Sequence, residues 1–230
     1  MSARGGRSAA VLVAAGRGTR AGDGPAKQFR ELAGTPVLER AWRSFAATSA
    51  IGEIVLVLPE SVASAPPAWL VRAPARLVAG GATRTDSVRL GLQALGGEPD
   101  TVLVHDGVRP FASVRLIERV LSAARRGPAV PLVPVQDTVK EVDAEGAVLR
   151  TLDRARLRRA QTPQGFPTAL LREVHERAAR SGLGATDDAA LCEAEGHRVQ
   201  GVTGEVTNLK LTTPEDFAYA VWLLESGRVR

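Results

Sequence analysis

The sequence has 230 residues, 44% of them hydrophobic and only 4% aromatic, which suits one domain of ordinary to large size with an aliphatic, alanine-rich core. Its apolar runs are far shorter than the roughly 20 residues that span a bilayer, and its single cysteine, Cys192, excludes an intramolecular disulfide and multi-cysteine metal sites. The net charge of +5 is scattered along the chain with few aromatic residues for base stacking, so it argues only weakly for nucleic acid and fits small anionic substrates equally well.

The N-terminus carries a little positive charge but no separate apolar stretch that ends in a cleavage site. We therefore interpret the apolar run that follows it as the first strand and not as a signal peptide. These features predict a soluble, cytoplasmic protein.

Strand-like and helix-like segments alternate along the first 135 residues. Mainly apolar, strand-like runs predict strands at 9–14, 53–58, 75–78, 101–105 and 130–135. Helical spacing predicts helices at 36–48, 85–95 and 113–126, with a less regular stretch at 61–71 that contains Pro66 and Pro67. Apolar strands separated by helices predict a Rossmann-like three-layer α/β/α fold with a mostly parallel central sheet.

The alternation fails between Asp137 and Arg159, where two short strands at 139–142 and 147–152 flank a turn-forming cluster at 143–146. A hairpin this polar buries itself poorly, so we expect a protruding β-arm over 136–158 that leans on something outside its own domain. Helices at 167–181 and 187–195, a strand at 197–202, a segment at 208–212 and a last helix from Pro214 follow. Thr213 is predicted to cap that last helix.

The stretch from Val11 to Lys27 is the first candidate for chemistry. An apolar run ends at Gly16, and a glycine-rich segment with Arg17, Arg20 and Lys27 follows, which is typical of a loop that holds a nucleotide's phosphates. The dinucleotide fingerprint does not apply because glycines and Pro25 break the helix that it requires, and no Walker lysine pattern is present.

Two further loops follow predicted strands. The Gly80–Ser87 turn can offer backbone amides and a hydroxyl to a base or a phosphate, or it can simply cap a helix through Thr85. Asp106 can hold a ribose hydroxyl, a substrate hydroxyl or Mg²⁺, while Arg109 can pair with a phosphate or lock the turn through Asp106.

Lysine is rare in this sequence. Only Lys27, Lys140 and Lys210 occur among 30 basic residues, the rest being arginine. A chain that otherwise uses arginine makes these lysines candidates for work that needs a compact, mobile ammonium group.

Nine segments, in this order and spacing, resemble the nucleotidyltransferases of the glycosyltransferase-A-like fold (nucleotide-diphospho-sugar transferase type). They are AAGRGTR (14–20), PAKQF (25–29), GGATRTDSV (80–88), VHDGVRP (104–110), PVQDTVK (134–140), LDR (152–154), AQTPQGF (160–166), ATDD (185–188) and NLKLTTPED (208–216). More narrowly, the chain is similar to the 2-C-methyl-D-erythritol 4-phosphate cytidylyltransferases of the non-mevalonate isoprenoid pathway. It departs from their usual pattern at Gly107 and Val108, where two alanines are common, and at Thr207, where an acid is common.

The resemblance implies a role for specific residues. The CTP site would comprise Ala14, Ala15, Gly16, Gly18, Gly81, Ser87, Asp106 and Gly107. The polyol phosphate would contact Arg109, Thr138, Thr162, Thr186 and, from the other subunit of a homodimer that exchanges arms, Arg154. Arg20, Lys27 and Lys210 would be catalytic, and Mg²⁺ would be held through the CTP phosphates, with Asp106 as a candidate ligand.

The implied reaction joins CTP and 2-C-methyl-D-erythritol 4-phosphate to form the CDP-alcohol and pyrophosphate. Three alternatives stay open: a ribitol-5-phosphate cytidylyltransferase, which shares the VRPF run at 108–111, a sugar-nucleotide enzyme that uses UTP or GTP, and a basic nucleic-acid-binding module. Because the sequence ends at Arg230, we expect no fused cyclase domain of the kind found in some relatives.

Overall fold

The computed structural model describes residues 8–16 and 26–229. The strands in these ranges are β1 Ser8–Val13, β2 Glu31–Leu32, β3 Thr35–Pro36, β4 Ile51–Leu58, β5 Arg76–Ala79, β6 Thr101–Asp106, β7 Ala129–Pro134, β8 Lys140–Val142, β9 Val148–Thr151, β10 Arg158–Ala160, β11 Gln164–Pro167 and β12 Gln200–Thr203. The α-helices are α1 Val37–Ala46, α2 Glu60–Ser64, α3 Ala68–Val71, α4 Arg84–Gln93, α5 Val114–Ala124, α6 Thr168–Ser181, α7 Asp188–Ala194 and α8 Pro214–Glu225.

Eight of the described strands form one sheet in the order β10-β7-β11-β6-β1-β4-β5, with β12 also paired to β7. The neighbours of β1 are both parallel to it, and β5 is parallel to β4. By contrast, β11 runs antiparallel to β6, and β10 runs antiparallel to β7. The mostly parallel sheet predicted from the apolar runs is therefore confirmed, with two antiparallel strands in one half.

The sheet is covered by helices on both faces. Alternate side chains of β1 show this: Leu12 packs into a cluster with α1 and α5, whereas Val11 packs into a second cluster with α4, α6 and α7. Both residues are fully buried, as are the apolar side chains that surround them. This two-sided burial is why the central strands are apolar along their whole length.

Most predicted elements occur within a few residues of their expected positions. The irregular stretch at 61–71 forms two short helices, α2 and α3, because Pro66 and Pro67 interrupt the helix between them. The residue that caps α4 is Thr83 and not Thr85; its hydroxyl accepts from the Asp86 N–H, and the Asp86 carboxylate accepts from the Thr83 N–H. Thr213 caps α8 in the same way, as predicted.

The predicted hairpin is present as β8 and β9, which pair only with each other. Apolar side chains project from it into solvent: Val142, Val148 and Leu149 are 52%, 60% and 60% exposed. A two-stranded ribbon with exposed apolar groups is marginally stable alone.

The helices within residues 8–16 and 26–229 include none with the length and apolar character that a membrane span requires.

Candidate active site

A cavity of about 530 Å³ opens at the sheet edge where the parallel strands β1 and β6 end. Ligands gather at this edge in open α/β sheets. The lining residues are Val13, Ala14, Ala15, Gly16, Lys27, Gln28, Gly81, Ala82, Thr83, Arg84, Ser87, Asp106, Val108 and Lys210. The fold thus brings together sequence segments that are far apart in the chain.

The end of β1 supplies one wall of the cavity. Here Gln28, which is only 1% exposed, donates from its amide Nε2 to the carbonyl oxygens of Ala14 at 2.7 Å and Gly16 at 2.8 Å. Gln28 belongs to a short 3-10 helix, Lys27–Phe29, so the neighbouring Lys27 lies against the same wall.

The turn before α4 forms the opposite wall. The Ser87 hydroxyl accepts from the Gly81 N–H at 3.1 Å and donates to the Thr83 carbonyl at 2.9 Å. Because its single hydrogen is used within the turn, Ser87 can offer a ligand only its remaining lone pair. That oxygen is complementary to a ligand N–H group.

Asp106 lies at the base of the cavity among three cations. Its carboxylate is 2.9 Å from Lys210 Nζ, 3.4 Å from Arg84 Nε and 3.7 Å from Arg109 Nε. Burial alone raises the pKa of Asp106, but the charges of Arg84, Lys210 and Arg109 outweigh it and hold that pKa well below its usual value. The base of the site is therefore one ionised carboxylate with an excess of positive charge, which suits an anionic ligand.

Arg84 connects this centre to the helices α6 and α7. Its Nη2 lies 2.8 Å from the carboxylate of Asp188, which begins α7 and is within 3.0 Å of His175 Nε2 on α6. Asp188 and His175 are fully buried. Burial opposes the charge on Arg84, yet Asp188 and Asp106 raise the pKa of its guanidinium above the ordinary value.

A second buried network supports Asp106 from behind. Burial lowers the pKa of His105 to about 4, so the ring is neutral; its Nε2–H donates to the Arg109 carbonyl at 3.0 Å. Its Nδ1 then accepts from the Thr162 hydroxyl at 3.0 Å, and that hydroxyl accepts the Asp106 N–H. These bonds give His105 a structural role.

Lys210 lies on an irregular segment that side chains hold in place. The side-chain amide of the fully buried Asn208 donates to the Thr162 carbonyl at 2.8 Å. The backbone carbonyl of Asn208 accepts from the side chains of Gln161 at 3.1 Å and Arg109 at 2.9 Å. The Leu211 N–H donates to the Val108 carbonyl at 2.9 Å. This bracing is what places the Lys210 ammonium beside Asp106.

Eight of the residues predicted for the site line the cavity. They are Ala14, Ala15, Gly16, Lys27, Gly81, Ser87, Asp106 and Lys210. Gly18 and Arg20, predicted to contact CTP, lie outside the described residues.

Gly107 was predicted for the CTP site but does not line the cavity, and its contact with CTP stays a prediction. The Gly107 N–H donates to the Val13 carbonyl at 2.8 Å, so it is engaged in the sheet and is not directed at a ligand. A Cβ at Gly107 would lie 2.8 Å from Leu38 Cδ1. Glycine here therefore permits a close approach between the strand end and α1, which explains the departure from alanine.

The predicted polyol-phosphate residues do not line the cavity of the single chain. The Arg109 side chain is only 11% exposed and is bonded to Asn208, while the one hydrogen of Thr162 is given to His105. Thr138 and Thr186 are exposed, and Arg154 donates to the Gln136 carbonyl at the base of the arm. Their predicted contacts with substrate stay predictions.

Sequence reasoning missed four residues that organise the site: Gln28, Arg84, Gln161 and Asp188. Each acts through contacts with residues distant in sequence, so no local period or spacing marks it. The one available signal was position, since all four fall inside the nine segments on which the resemblance was based.

A divalent cation such as Mg²⁺ requires oxygen ligands. The described residues contain no group of three or more histidine, cysteine, aspartate or glutamate side chains that could hold a metal ion. Asp106 is ionised and faces the cavity, and Mg²⁺ commonly takes one or two carboxylates together with substrate phosphates. The site thus fits a cation that arrives with a nucleotide and, among the described residues, offers no all-protein metal cage.

Known proteins resemble this chain in sequence and in fold. The model of the family described as IspD, 2-C-methyl-D-erythritol 4-phosphate cytidylyltransferase, matches residues 8–226. The chain belongs to this family.

Relatives of this chain include the bifunctional enzyme IspD/IspF of Rhodopseudomonas palustris (strain HaA2), 49% identical over 92% of this chain and 54% of that protein. The corresponding enzyme of Bradyrhizobium diazoefficiens is 49% identical over the same shares. The chain spans about half the length of these curated relatives.

Solved structures of family members share the fold. The 2-C-methyl-D-erythritol 4-phosphate cytidylyltransferase of Thermus thermophilus has a TM-score of 0.80 and 41% identity, covering 94% of this chain and 98% of that chain. The 4-diphosphocytidyl-2C-methyl-D-erythritol synthase of Anaerococcus prevotii has a TM-score of 0.85 and 33% identity, covering 96% and 99%. The predicted fold class is confirmed by this agreement.

Proposed function

We propose that this chain catalyses cytidylyl transfer from CTP to 2-C-methyl-D-erythritol 4-phosphate, giving 4-diphosphocytidyl-2-C-methyl-D-erythritol and pyrophosphate. The observation that carries the proposal is the cavity at the ends of β1 and β6 in a member of this family, where Lys210 and Arg84 flank the Asp106 carboxylate and Lys27 lies in the cavity lining. A cationic cavity of this size suits a nucleoside triphosphate.

The reaction follows from the charges of its reactants. A phosphate oxygen of the polyol phosphate attacks the α-phosphorus of CTP; the bond from that phosphorus to the β-phosphate oxygen breaks, and pyrophosphate leaves with the electron pair. The nucleophile is already ionised, so no general base is needed, and catalysis consists of alignment and charge neutralisation. Lys27 and Lys210 would neutralise the charge that develops on the α-phosphate and the leaving group, with Arg20 in the same role.

Lys210 has two successive partners in this account. In the structure its ammonium lies 2.9 Å from Asp106, in a partly exposed position with 44% of the side chain accessible. A bound phosphate offers a stronger partner, so the lysine can turn toward it while Asp106 keeps Arg84 and Arg109 as counter-charges. The carboxylate thereby holds the lysine in place before substrate binds.

We include Mg²⁺ in the proposal as the cofactor. Asp106 would hold it together with the CTP phosphates, and the cation would supply charge neutralisation on the triphosphate. The ionised state of Asp106 supports this role.

Selectivity for cytosine would come from the walls of the cavity. With its hydrogen donated to the Thr83 carbonyl, Ser87 can accept but not donate, which matches the exocyclic amino group of cytosine and disfavours the O4 carbonyl of uracil. Backbone groups of Ala14, Ala15, Gly16 and Gly81 would contact the base and ribose.

A homodimer that exchanges arms is also part of the proposal. The exposed apolar side chains of the arm, 136–158, support it, and so does the position of Arg154 outside the single-chain cavity. The partner's Arg154 would then reach the polyol phosphate, which Arg109, Thr138, Thr162 and Thr186 of the first subunit would also contact. The use of CTP, a cytoplasmic metabolite, supports a cytoplasmic location.

The experiment that tests the proposed substrate is a specificity comparison. Values of kcat/KM for methylerythritol phosphate and ribitol 5-phosphate would be measured with CTP, and then with UTP or GTP in its place. We expect the highest value for the CTP and methylerythritol phosphate pair. A preference for ribitol 5-phosphate would contradict the proposal, and so would salt-dependent RNA binding without pyrophosphate release.

A further inference from the structure

Gln28 occupies a position that the proposed mechanism does not use. It is 1% exposed and follows Lys27 directly. The backbone turns at this point, since the Phe29 N–H donates to the Ala26 carbonyl at 2.8 Å. A buried amide at such a turn needs polar partners.

Those partners are two carbonyl groups at the end of β1. The Gln28 Nε2 group gives one hydrogen to the Ala14 carbonyl, at 2.7 Å, and the other to the Gly16 carbonyl, at 2.8 Å. Only the nitrogen of the amide can face two carbonyl oxygens, because the amide oxygen would be repelled by both. The orientation of the side chain is therefore fixed by its surroundings.

The consequence is a brace between two parts of the cavity wall. The hydrogen bonds join residues 14 and 16 to residue 28 across twelve to fourteen positions of the sequence. Lys27 is covalently next to Gln28, and both lie on the cavity surface with Ala14, Ala15 and Gly16. The two hydrogen bonds of Gln28 therefore tie the Lys27–Gln28 backbone to the end of β1.

We propose that Gln28 is a positioning residue for CTP: its amide fixes Lys27 against the Ala14–Gly16 backbone, so that base and phosphates are held in one geometry. The inference rests on the proposed function, which supplies CTP as the ligand. A shift of Lys27 by about 1 Å is enough to cost on the order of a hundredfold in rate. Glutamate cannot replace this residue, since its oxygens would face two carbonyl oxygens.

The test uses Gln28→Met, which keeps the length of the side chain and removes both donors, and Gln28→Glu, which adds repulsion. Gln200→Met is the matched control, because Gln200 is exposed and its side chain bonds only locally, to the Gly201 carbonyl. CTP affinity is measured by calorimetry with Mg²⁺ present, and kcat and KM are measured for both substrates. Circular dichroism and thermal unfolding report on the fold.

We expect Gln28→Met to weaken CTP binding by about tenfold and Gln28→Glu by more, with the KM for the polyol phosphate unchanged within about twofold. A double-mutant cycle with Lys27→Ala, read on CTP affinity, separates positioning from general support. In the Lys27→Ala background the effect of Gln28→Met should fall to about twofold or less.

Three outcomes would overturn the inference. They are CTP affinity in Gln28→Met equal to that in Gln200→Met, an undiminished effect in the Lys27→Ala background, and loss of the folded state in both Gln28 variants, which would make the role structural. Wild-type chain that binds CTP without transferring it to methylerythritol phosphate would refute the proposed function alone. Wild-type chain that binds no CTP would refute both.

Discussion

Three cations surround the carboxylate of Asp106, and this arrangement decides what the cavity can bind. Each of Arg84, Arg109 and Lys210 lies within 3.7 Å of it. Asp106 and Asp188, which pairs with Arg84, supply two negative charges against these three positive ones, so the centre keeps a positive charge and suits an anion even with both carboxylates ionised. Lys210 was visible in the sequence because lysine is rare in this chain, whereas Arg84, one arginine among 27, was not.

Replacement of Lys27 by alanine tests its catalytic role. We expect Lys27→Ala to lower turnover by at least about a hundredfold, because a preorganised cation at the reacting phosphates contributes about 3 to 4 kcal/mol to the transition state. The measurement is the initial rate of pyrophosphate release, with unfolding followed by circular dichroism.

The matched control is Lys140→Ala. Lys140 lies in the arm, and its ammonium donates to the Thr151 hydroxyl across the β8–β9 hairpin. This variant should keep turnover within about threefold of the wild-type value. Near-normal turnover in Lys27→Ala would refute the assigned role.

Arg84 is expected to matter for stability as well as for the site. Arg84→Met leaves the buried Asp188 without its arginine partner and with only the contact to His175, and the free energy of unfolding should fall by about 3 kcal/mol. Urea unfolding checks this value. The exposed Arg72, replaced in the same way, should change the free energy of unfolding by no more than about 0.5 kcal/mol.

Neutralisation of the Asp188 carboxylate should restore part of the free energy of unfolding that Arg84→Met loses. Asp188→Asn in the Arg84→Met background is expected to recover at least about 1 kcal/mol relative to additivity. Equal stability of Arg84→Met and Arg72→Met would contradict the account of the buried ion pair.

Among the secondary-structure elements, the sequence predicts the strands and turns that a local pattern of residues determines. Continuous apolar runs marked β1, β4, β6 and β7, and the cluster at 143–146 marked the β8–β9 turn. The strands β10 and β11 were not predicted. β10 contains Arg158 and Arg159, and it is a strand only because the edge of β7 is there to pair with it.

The missed strand β11 has a different physical cause. It lies between β6 and β7 and packs closely on α5, where a Cβ at Gly165 would be 2.7 Å from Ala124 Cβ. Small and proline residues permit this approach, yet they have low strand propensity in isolation. Tertiary contact therefore determines the strand, and no single-sequence period reveals it.

The arm, 136–158, exposes apolar side chains that can be tested as a dimer contact. Val142 and Val148 face each other across the β8–β9 pair, and Leu149, beside them at a shift in the pairing register, is 60% exposed. If arms exchange in a dimer, Leu149→Asp should shift the chain from dimer to monomer at micromolar concentration and lower turnover, because burial of such a side chain contributes about 2 kcal/mol.

Light scattering would measure this change. Val71→Asp is the control, since Val71 is 66% exposed on α3, away from the arm. A wild-type monomer, or a Leu149→Asp dimer with unchanged mass, would contradict the proposed arm exchange.

In the whole molecule, the topology of the sheet brings the segments of the site together. The parallel strands β1 and β6 end at one edge, and the turn after β5 reaches the same cavity, so segments around residues 14, 81 and 106 meet there. Sequence position at strand ends was sufficient to predict this meeting. The orientations of Gln28 and Arg84, and the bracing of Lys210, depend on side-chain packing that only the folded chain specifies.

In the proposed function, this cavity transfers the cytidylyl group of CTP to a polyol phosphate. The most direct measurement is pyrophosphate release by the wild-type chain with CTP, Mg²⁺ and methylerythritol phosphate, together with quantification of the nucleotide product. We predict equal amounts of pyrophosphate and 4-diphosphocytidyl-2-C-methyl-D-erythritol, with no release when either substrate is omitted. Pyrophosphate release that does not depend on methylerythritol phosphate, or no release at all, would contradict the account.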